Sequence, residues 1–233
     1  MERRTQRKRV LMLQNLLQAN DLIAKRINQS ATEAGTLLVN MLSSPGSGKT
    51  TLLEATARRV GGSLRIGAIL GDVATDRDYE RLRKHGISAV QIVTGGECHL
   101  EAAMVEQALQ EIDFGSLDIV FIENVGNLVC PSEFQLGEHV RVVLLSTAEG
   151  EDKSIKYPMA FRTAQALIIT KMDLLPHVPF DIDAAVRFAL QVNPKLQILT
   201  TSAVTGDGLD DWLSLLNEWH NDMKAVGRST FGS

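Results

Sequence analysis

The sequence predicts an α/β protein with a doubly wound, mostly parallel sheet of about seven strands and helices on both faces. Three observations carry this. Several strand candidates are unbroken apolar runs, such as Asp118-Ile119-Val120-Phe121-Ile122 and Ala166-Leu167-Ile168-Ile169, which suit parallel strands covered on both faces. Segments of helical periodicity alternate with them. A glycine-containing loop at 43–50 sits where the first strand gives way to a helix.

Taken in order, Val10, Leu13, Leu16, Leu17, Ile23 and Ile27 recur near helical spacing, so residues 5–30 are expected to form one or two helices. Arg3, Arg4, Arg7, Lys8 and Arg9 give this segment a basic first turn. Gln14, Asn15, Gln18, Asn20 and Asp21 interrupt it too often for a secretory signal. Strands are expected at 37–42, 64–70, 89–93, 118–122, 140–146, 166–170 and 196–200. Helices are expected at 50–60, 76–85, 99–112, 180–192 and 208–222. The expected organisation is one domain over 1–233, with a helical segment at 1–34 and a frayed polar tail over 224–233.

The chain has 233 residues, 44% of them hydrophobic, enough for one large core. Its net charge of −4 gives no bulk attraction to nucleic acid or a membrane surface. No apolar run approaches a membrane span. Cys98 and Cys130 alone make no secreted disulfide framework, so a cytoplasmic setting is expected.

Ser43-Ser44-Pro45-Gly46-Ser47-Gly48-Lys49-Thr50 is the most informative run. Gly46 and Gly48 let the backbone between Pro45 and Thr51 wrap phosphate oxygens at the positive end of a helix dipole. Lys49 can reach the β- and γ-phosphates, and the Thr50 hydroxyl can ligate Mg²⁺. Ser43 stands where the usual pattern has its first glycine.

Sites in such sheets gather at the carboxyl ends of strands. Glu123 closes the fourth apolar run and precedes Gly126. A carboxylate there can hold Mg²⁺ through water, and Gly126 can offer its N–H to the γ-phosphate and reorient when that phosphate leaves. Asp72 is the candidate for a further Mg²⁺ contact and for positioning the attacking water, while Asp76 and Asp78 suit the helix that follows. Lys49, Asp72 and Glu123 are thus the expected catalytic groups.

Thr170-Lys171-Met172-Asp173 has the form of a base-reading motif, with Thr170 where asparagine is usual. The Asp173 carboxylate can accept from guanine N1–H and the 2-amino group, a donor pair adenine lacks. The Lys171 stem can lie along the base plane, and backbone N–H groups near Ser202 and Ala203 can contact guanine O6. GTP and GDP are therefore the expected nucleotides.

Gly95-Gly96-Glu97-Cys98-His99 places a thiol and an imidazole together at an expected helix start, where the dipole would favour a thiolate. With Cys130 they could make a site for Ni²⁺ or Zn²⁺. Free cysteines are also common as small buried hydrophobes, so the pattern by itself leaves both readings open.

Over residues 10–222 the chain resembles the HypB family of GTPases, which assist nickel insertion into [NiFe]-hydrogenase. The resemblance rests on the loop Ser43–Thr50, Gly71-Asp72, Thr94-Gly95-Gly96-Glu97-Cys98-His99-Leu100, Glu123 through Pro131, and Thr147-Ala148-Glu149-Gly150. Urease-type relatives carry their cysteine and histidine in a different local pattern. The resemblance implies a P-loop fold, GTP hydrolysis with Mg²⁺, and nickel or zinc on Cys98, His99 and Cys130 near or across a GTP-dependent homodimer interface. It also implies other hydrogenase-maturation chaperones and the hydrogenase large subunit as partners. Some members have an N-terminal Cys- or His-rich extension, and no such storage site is expected over Met1–Thr5 here. The competing readings are a GTPase chaperone for a urease-type nickel or cobalamin enzyme, and a metal-storing or metal-sensing module.

Overall fold

The computed structural model describes the backbone of residues 2–72 and 77–231 and the side chains of 14–71 and 78–229. Within these residues, helix α1 (Glu2–Ala34) leads into β1 (Leu37–Ser43), then α2 (Lys49–Val60), β2 (Ile66–Asp72), α3 (Arg77–Arg83), β3 (Ser88–Val93), α4 (Ala102–Glu111), β4 (Ile119–Glu123) and β5 (Val140–Ser146). The short helices α5 (Lys153–Lys156) and α6 (Pro158–Arg162) precede β6 (Ala166–Thr170), α7 (Ile182–Val192), β7 (Gln197–Thr200) and α8 (Leu209–Phe231). Short 3-10 turns occupy Phe114–Ser116, Cys130–Glu133 and Met172–His177.

The strands form one sheet in the order β3-β2-β4-β1-β5-β6-β7, and every pairing is parallel. The expectation of seven strands holds, and the sheet proves wholly parallel. β1 lies between β4 and β5 because the chain leaves it in one direction for β2 and later returns on its other side. That central position puts the 43–50 loop where the sheet's connections diverge, the usual location of a ligand crevice.

The two-residue period of the strands sorts the core. Leu37, Val39 and Met41 of β1 point to one face, with Leu52 and Leu53 of α2 and Trp212, Leu216 and Trp219 of α8. Leu38 points to the other face, among Ala24, Ile27 and Ala31 of α1 and Val105 and Leu109 of α4. Leu42 joins a separate cluster on that second face with Phe161 of α6 and Ala185 and Ala189 of α7. β4 and β6 are buried along their whole length, which is why 118–122 and 166–169 read as apolar runs.

The expected elements begin and end within about two residues of expectation except at three helices, and α5 and α6 are additional to those expected. The first helix is a single 33-residue element. The fourth helix starts at Ala102 rather than 99. Its first N–H, on Ala102, is capped from a distance by Asn20 Oδ1 at 2.8 Å, while the adjacent Glu101 side chain makes no cap bond. The last helix continues through the expected frayed tail to Phe231, because Met223 is buried and Gly227 lets α8 pass close to Thr32 of α1. Leu16, expected on the apolar stripe, is 58% exposed. The basic side chains of 3–9 and Asp76 lie outside the described residues. Among the described residues, no helix is long and apolar enough to cross a membrane.

Candidate functional site

A cavity of about 460 Å³ opens at the carboxyl end of β1. Its floor is the 45–51 segment, and its walls come from Gly71, Arg81, Glu123 through Gly126, and Lys171. Gly46 at φ 74° and Gly48 at φ 95° supply the left-handed backbone that turns a buried strand into a helix within a few residues. Gly48 is also the N-cap of α2, so the helix points its free N–H groups into the cavity.

Lys49 is 7% exposed, and its Nζ donates to Ser43 Oγ at 2.8 Å. The serine in place of glycine thus holds the lysine within the loop. Thr50 Oγ1 donates to the Glu123 carboxylate, at 2.9 Å from Oε1 and 3.2 Å from Oε2. Burial pushes Glu123 up to about 7, against the Lys49 charge and the Thr50 hydrogen bond, which favour its ionised form. A hydroxyl and a carboxylate so close, with the acid desolvated, are a hard-oxygen pair suited to Mg²⁺. Thr51 faces Arg81, whose Nη2 lies 3.3 Å from its hydroxyl. Asp72 ends β2 at this rim, and its side chain lies outside the described residues.

Gly126 is needed for closeness. A Cβ there would come within 3.0 Å of Pro45 Cα and Cγ, so the segment after β4 lies directly on the phosphate loop. A bridge between Ser43 and Asn127 fixes the same approach.

The base-reading candidates are only partly in this cavity. Lys171, at φ 59°, lines it and donates from Nζ to the Gly46 carbonyl at 2.7 Å, laying its stem along the loop. Thr170 stands at the end of β6. It is buried and its hydroxyl donates to the Ser47 carbonyl at 2.7 Å, so it ties the end of β6 to the phosphate loop. Asp173, Ser202 and Ala203 stand beyond the cavity wall at the ends of β6 and β7. Ser202 Oγ donates to Asp173 Oδ1 at 2.6 Å and so orients the carboxylate.

Cys98, His99 and Cys130 do come together, with their ligand atoms all within 4.8 Å of one another. Cys98 Sγ is 3.8 Å from His99 Nδ1. The imidazole stacks on Phe134, with ring centroids 4.1 Å apart. His99 Nε2 is buried without a hydrogen bond, since Glu101 Oε1 at 3.8 Å is too far to accept one. The expected helix-dipole stabilisation of a Cys98 thiolate does not hold. Cys98 precedes α4 by a loop, and a hydrogen bond with the Cys130 thiol, with desolvation behind it, raises its pKa above the ordinary value. Two thiols and an imidazole are a borderline-soft donor set that fits Ni²⁺ or Zn²⁺.

Sequence reasoning missed a buttress under the phosphate loop. Glu149 accepts from Ser47 Oγ at 2.6 Å and pairs with Lys153 at 3.2 Å, and Lys153 donates to Ser44 Oγ at 3.1 Å. Burial pushes Glu149 up, but bonds from Ser47, Ser44, the Ser146 N–H and Lys153 outweigh it and hold the carboxyl below its ordinary range. Only its place in the run Thr147–Gly150 marked it in the sequence.

Residues 37–200 match the CobW/HypB/UreG nucleotide-binding domain. The hydrogenase maturation factor HypB of Azotobacter chroococcum is 44% identical over 211 residues, covering 90% of this chain and 69% of that one. The crystal structure of HypB from Archaeoglobus fulgidus aligns with a TM-score of 0.82 at 41% identity, over 88% of this chain and all of that one. HypB from Helicobacter pylori, solved in complex with nickel, aligns at 0.84 and 39% identity, over 88% and 96% of the two chains. With a phosphate loop at the central strand and a thiol–imidazole cluster on the adjoining loops, the chain belongs to the CobW/HypB/UreG family and groups within it with the HypB proteins.

Proposed function

We propose that this protein is a GTP-hydrolysing metallochaperone that binds nickel or zinc and assists nickel insertion into [NiFe]-hydrogenase. One observation carries the reading. The segment that starts at Glu123 forms a wall of the phosphate cavity and, seven residues on, delivers Cys130 to Cys98 and His99. The hydrogenase maturation names of its relatives and the nickel held by one of them support the choice of cargo.

In hydrolysis, N–H groups of the 46–50 turn bind the β- and γ-phosphates, and Lys49 leaves Ser43 to pair with them as a point charge. Thr50 and Glu123, with Asp72, would hold Mg²⁺. Bound there, the cation would offset negative charge on the phosphate oxygens. Asp72 orients the attacking water, and the Gly126 N–H reports whether a γ-phosphate is present. Asp173, set by Ser202, reads guanine, and the Ala203 region completes the base site. Loss of the γ-phosphate releases the segment after Glu123 and loosens the metal cluster.

Among the described residues the cluster offers three donors, which leaves a four-coordinate ion short of a ligand and favours a shared site between two copies. Other hydrogenase-maturation chaperones and the hydrogenase large subunit are the proposed partners, in the cytoplasm.

The test is turnover of GTP and ATP together with Ni²⁺ titration. The reading expects GTP hydrolysis well ahead of ATP, and Ni²⁺ binding that weakens in Cys98→Ala and Cys130→Ala. Equal turnover of the two nucleotides, or unchanged Ni²⁺ affinity in both variants, overturns it.

A further inference from the structure

The sheet face opposite α2 and α8 is not uniformly apolar. Asn40 of β1 and Arg141 of β5 are register partners on it, both buried, and they separate the side chains packed under α1 and α4 from those packed under α6 and α7. Glu138 answers the guanidinium, accepting from Nε at 2.9 Å and from Nη2, and also accepts from Asn40 Nδ2 at 3.1 Å. A buried ion pair is a costly way to fill such a layer, since apolar residues of the same volume commonly do it as well or better. A role in position rather than stability is the better account of it.

The contacts at its two ends supply that role. Arg141 donates to the Ser132 carbonyl at 3.1 Å and the Phe134 carbonyl at 2.8 Å. Ser132 lies in the turn that begins at Cys130, and Phe134 carries the ring stacked on His99. At the other end, Asn40 Oδ1 accepts from Asn124 Nδ2 at 3.4 Å. Asn124 is 1% exposed and sits between Glu123 and the Val125–Gly126 wall of the phosphate cavity. Its side-chain Oδ1 accepts from Val125 N–H at 3.0 Å and from Leu100 N–H at 3.3 Å. Leu100 directly follows His99. A single amide with both acceptor positions in use therefore joins the cavity wall to the imidazole's loop.

We propose that Asn124 is the positioning residue that couples the nucleotide cavity to the Cys98–His99–Cys130 cluster. Movement of Val125–Gly126 with the state of the nucleotide changes the acceptor geometry of Asn124. Leu100 and His99 shift with it, while Arg141 holds the Cys130 turn against the sheet. The spacing between imidazole and thiols then depends on the nucleotide. Such an effect is reciprocal, so the metal must also alter nucleotide affinity. This inference rests on the metallochaperone reading and adds the residue through which it works.

The test is Ni²⁺ titration of the full chain with GDP and with a non-hydrolysable GTP analogue, in the unmodified protein and in Asn124→Ala. The unmodified protein should show affinities differing by about tenfold between nucleotides, and the variant a ratio below about twofold. Amide hydrogen exchange on the unmodified protein gives a second readout that requires no variant to fold. The Leu100 amide should exchange at rates differing several-fold between the two nucleotides, with no metal present. A nucleotide-dependent Ni²⁺ affinity that survives in Asn124→Ala overturns the role of Asn124 and leaves the metallochaperone reading standing, as does a Leu100 amide indifferent to nucleotide. Nickel affinity indifferent to nucleotide in the unmodified protein overturns the coupling itself. Absence of GTP turnover or of Ni²⁺ binding overturns the functional reading beneath both.

Discussion

Glu123 is the residue whose protonation matters most. Desolvation keeps its carboxyl protonated up to about pH 7, whereas in the unfolded chain it ionises near its ordinary value of 4.5. Between those values the folded state binds the extra proton, so stability should fall as pH rises from about 4.5 to 7. The loss should be on the order of 3 kcal/mol in the absence of Mg²⁺. Urea unfolding of the metal-free protein at pH 5 and pH 7.5 measures it, and Glu123→Gln should flatten that slope. A slope of the same size in Glu123→Gln would place its origin elsewhere. Asp173 makes the second residue-scale prediction. Asp173→Asn exchanges an acceptor pair for one donor and one acceptor, which suits the 2-carbonyl of xanthine. Preference should move from GTP toward xanthosine triphosphate by roughly 100-fold or more, read from competitive turnover. An unchanged preference would remove Asp173 from base reading. Neither carboxylate needed the structure to be noticed, but the Thr170 tether to Ser47 did. A hydroxyl's partner across 123 residues has no local signature.

At the scale of elements, the join between β7 and α8 is under the tightest steric constraint. Gly208 has φ 71°, and a Cβ there would fall 1.9 Å from the Thr200 carbonyl oxygen. Left-handed backbone on a side-chain-bearing residue costs about 1–3 kcal/mol before any clash. Gly208→Ala should therefore destabilise the protein by at least about 2 kcal/mol in urea unfolding, and α8 should be displaced from β7. Unaltered stability would mean that the loop relaxes freely. The start of α4 shows a different limit of local reading. Apolar periodicity suggested a helix from residue 99, yet Asn20 of α1 supplies the cap at Ala102 and leaves Cys98 and His99 in the preceding loop. That three-residue difference sets the chemistry. It removes the helix dipole from the thiol and lets Cys98 face Cys130 instead.

For the whole molecule, the cluster on loops after β3 and β4 has, among the described residues, too few donors to close a four-coordinate shell within one chain. Raising GTP analogue concentration with Ni²⁺ present should raise the dimer fraction in sedimentation, and Cys98→Ala should lower that response. A monomer under all these conditions would confine the site to one chain with solvent as the fourth ligand. Among the described residues, the second half of α1 bears on this. Ala24, Ile27 and Ala31 are buried against the sheet, and Asn28 reaches the 137–138 carbonyls beside Glu138. α1 is thereby bound to the segment that carries Arg141's partner.

The parallel sheet, the phosphate loop and the family could be read from the sequence because each rests on short-range pattern. Buried parallel strands are apolar over most of their length, and the Gly46–Thr50 turn joins strand to helix within a few residues. The cysteine–histidine pair could be named, but whether it met Cys130 could not, since 30 residues, with all of α4 and β4, lie between His99 and Cys130. Only tertiary structure decided that meeting. It also decided the Glu149–Lys153 support of the phosphate loop, the elevated pKa of Glu123, and the polar seam from Asn124 through Asn40 and Glu138 to Arg141. Hydrogen bonds and burial depend on which distant segments share a face, and the sequence fixes that only through the fold as a whole.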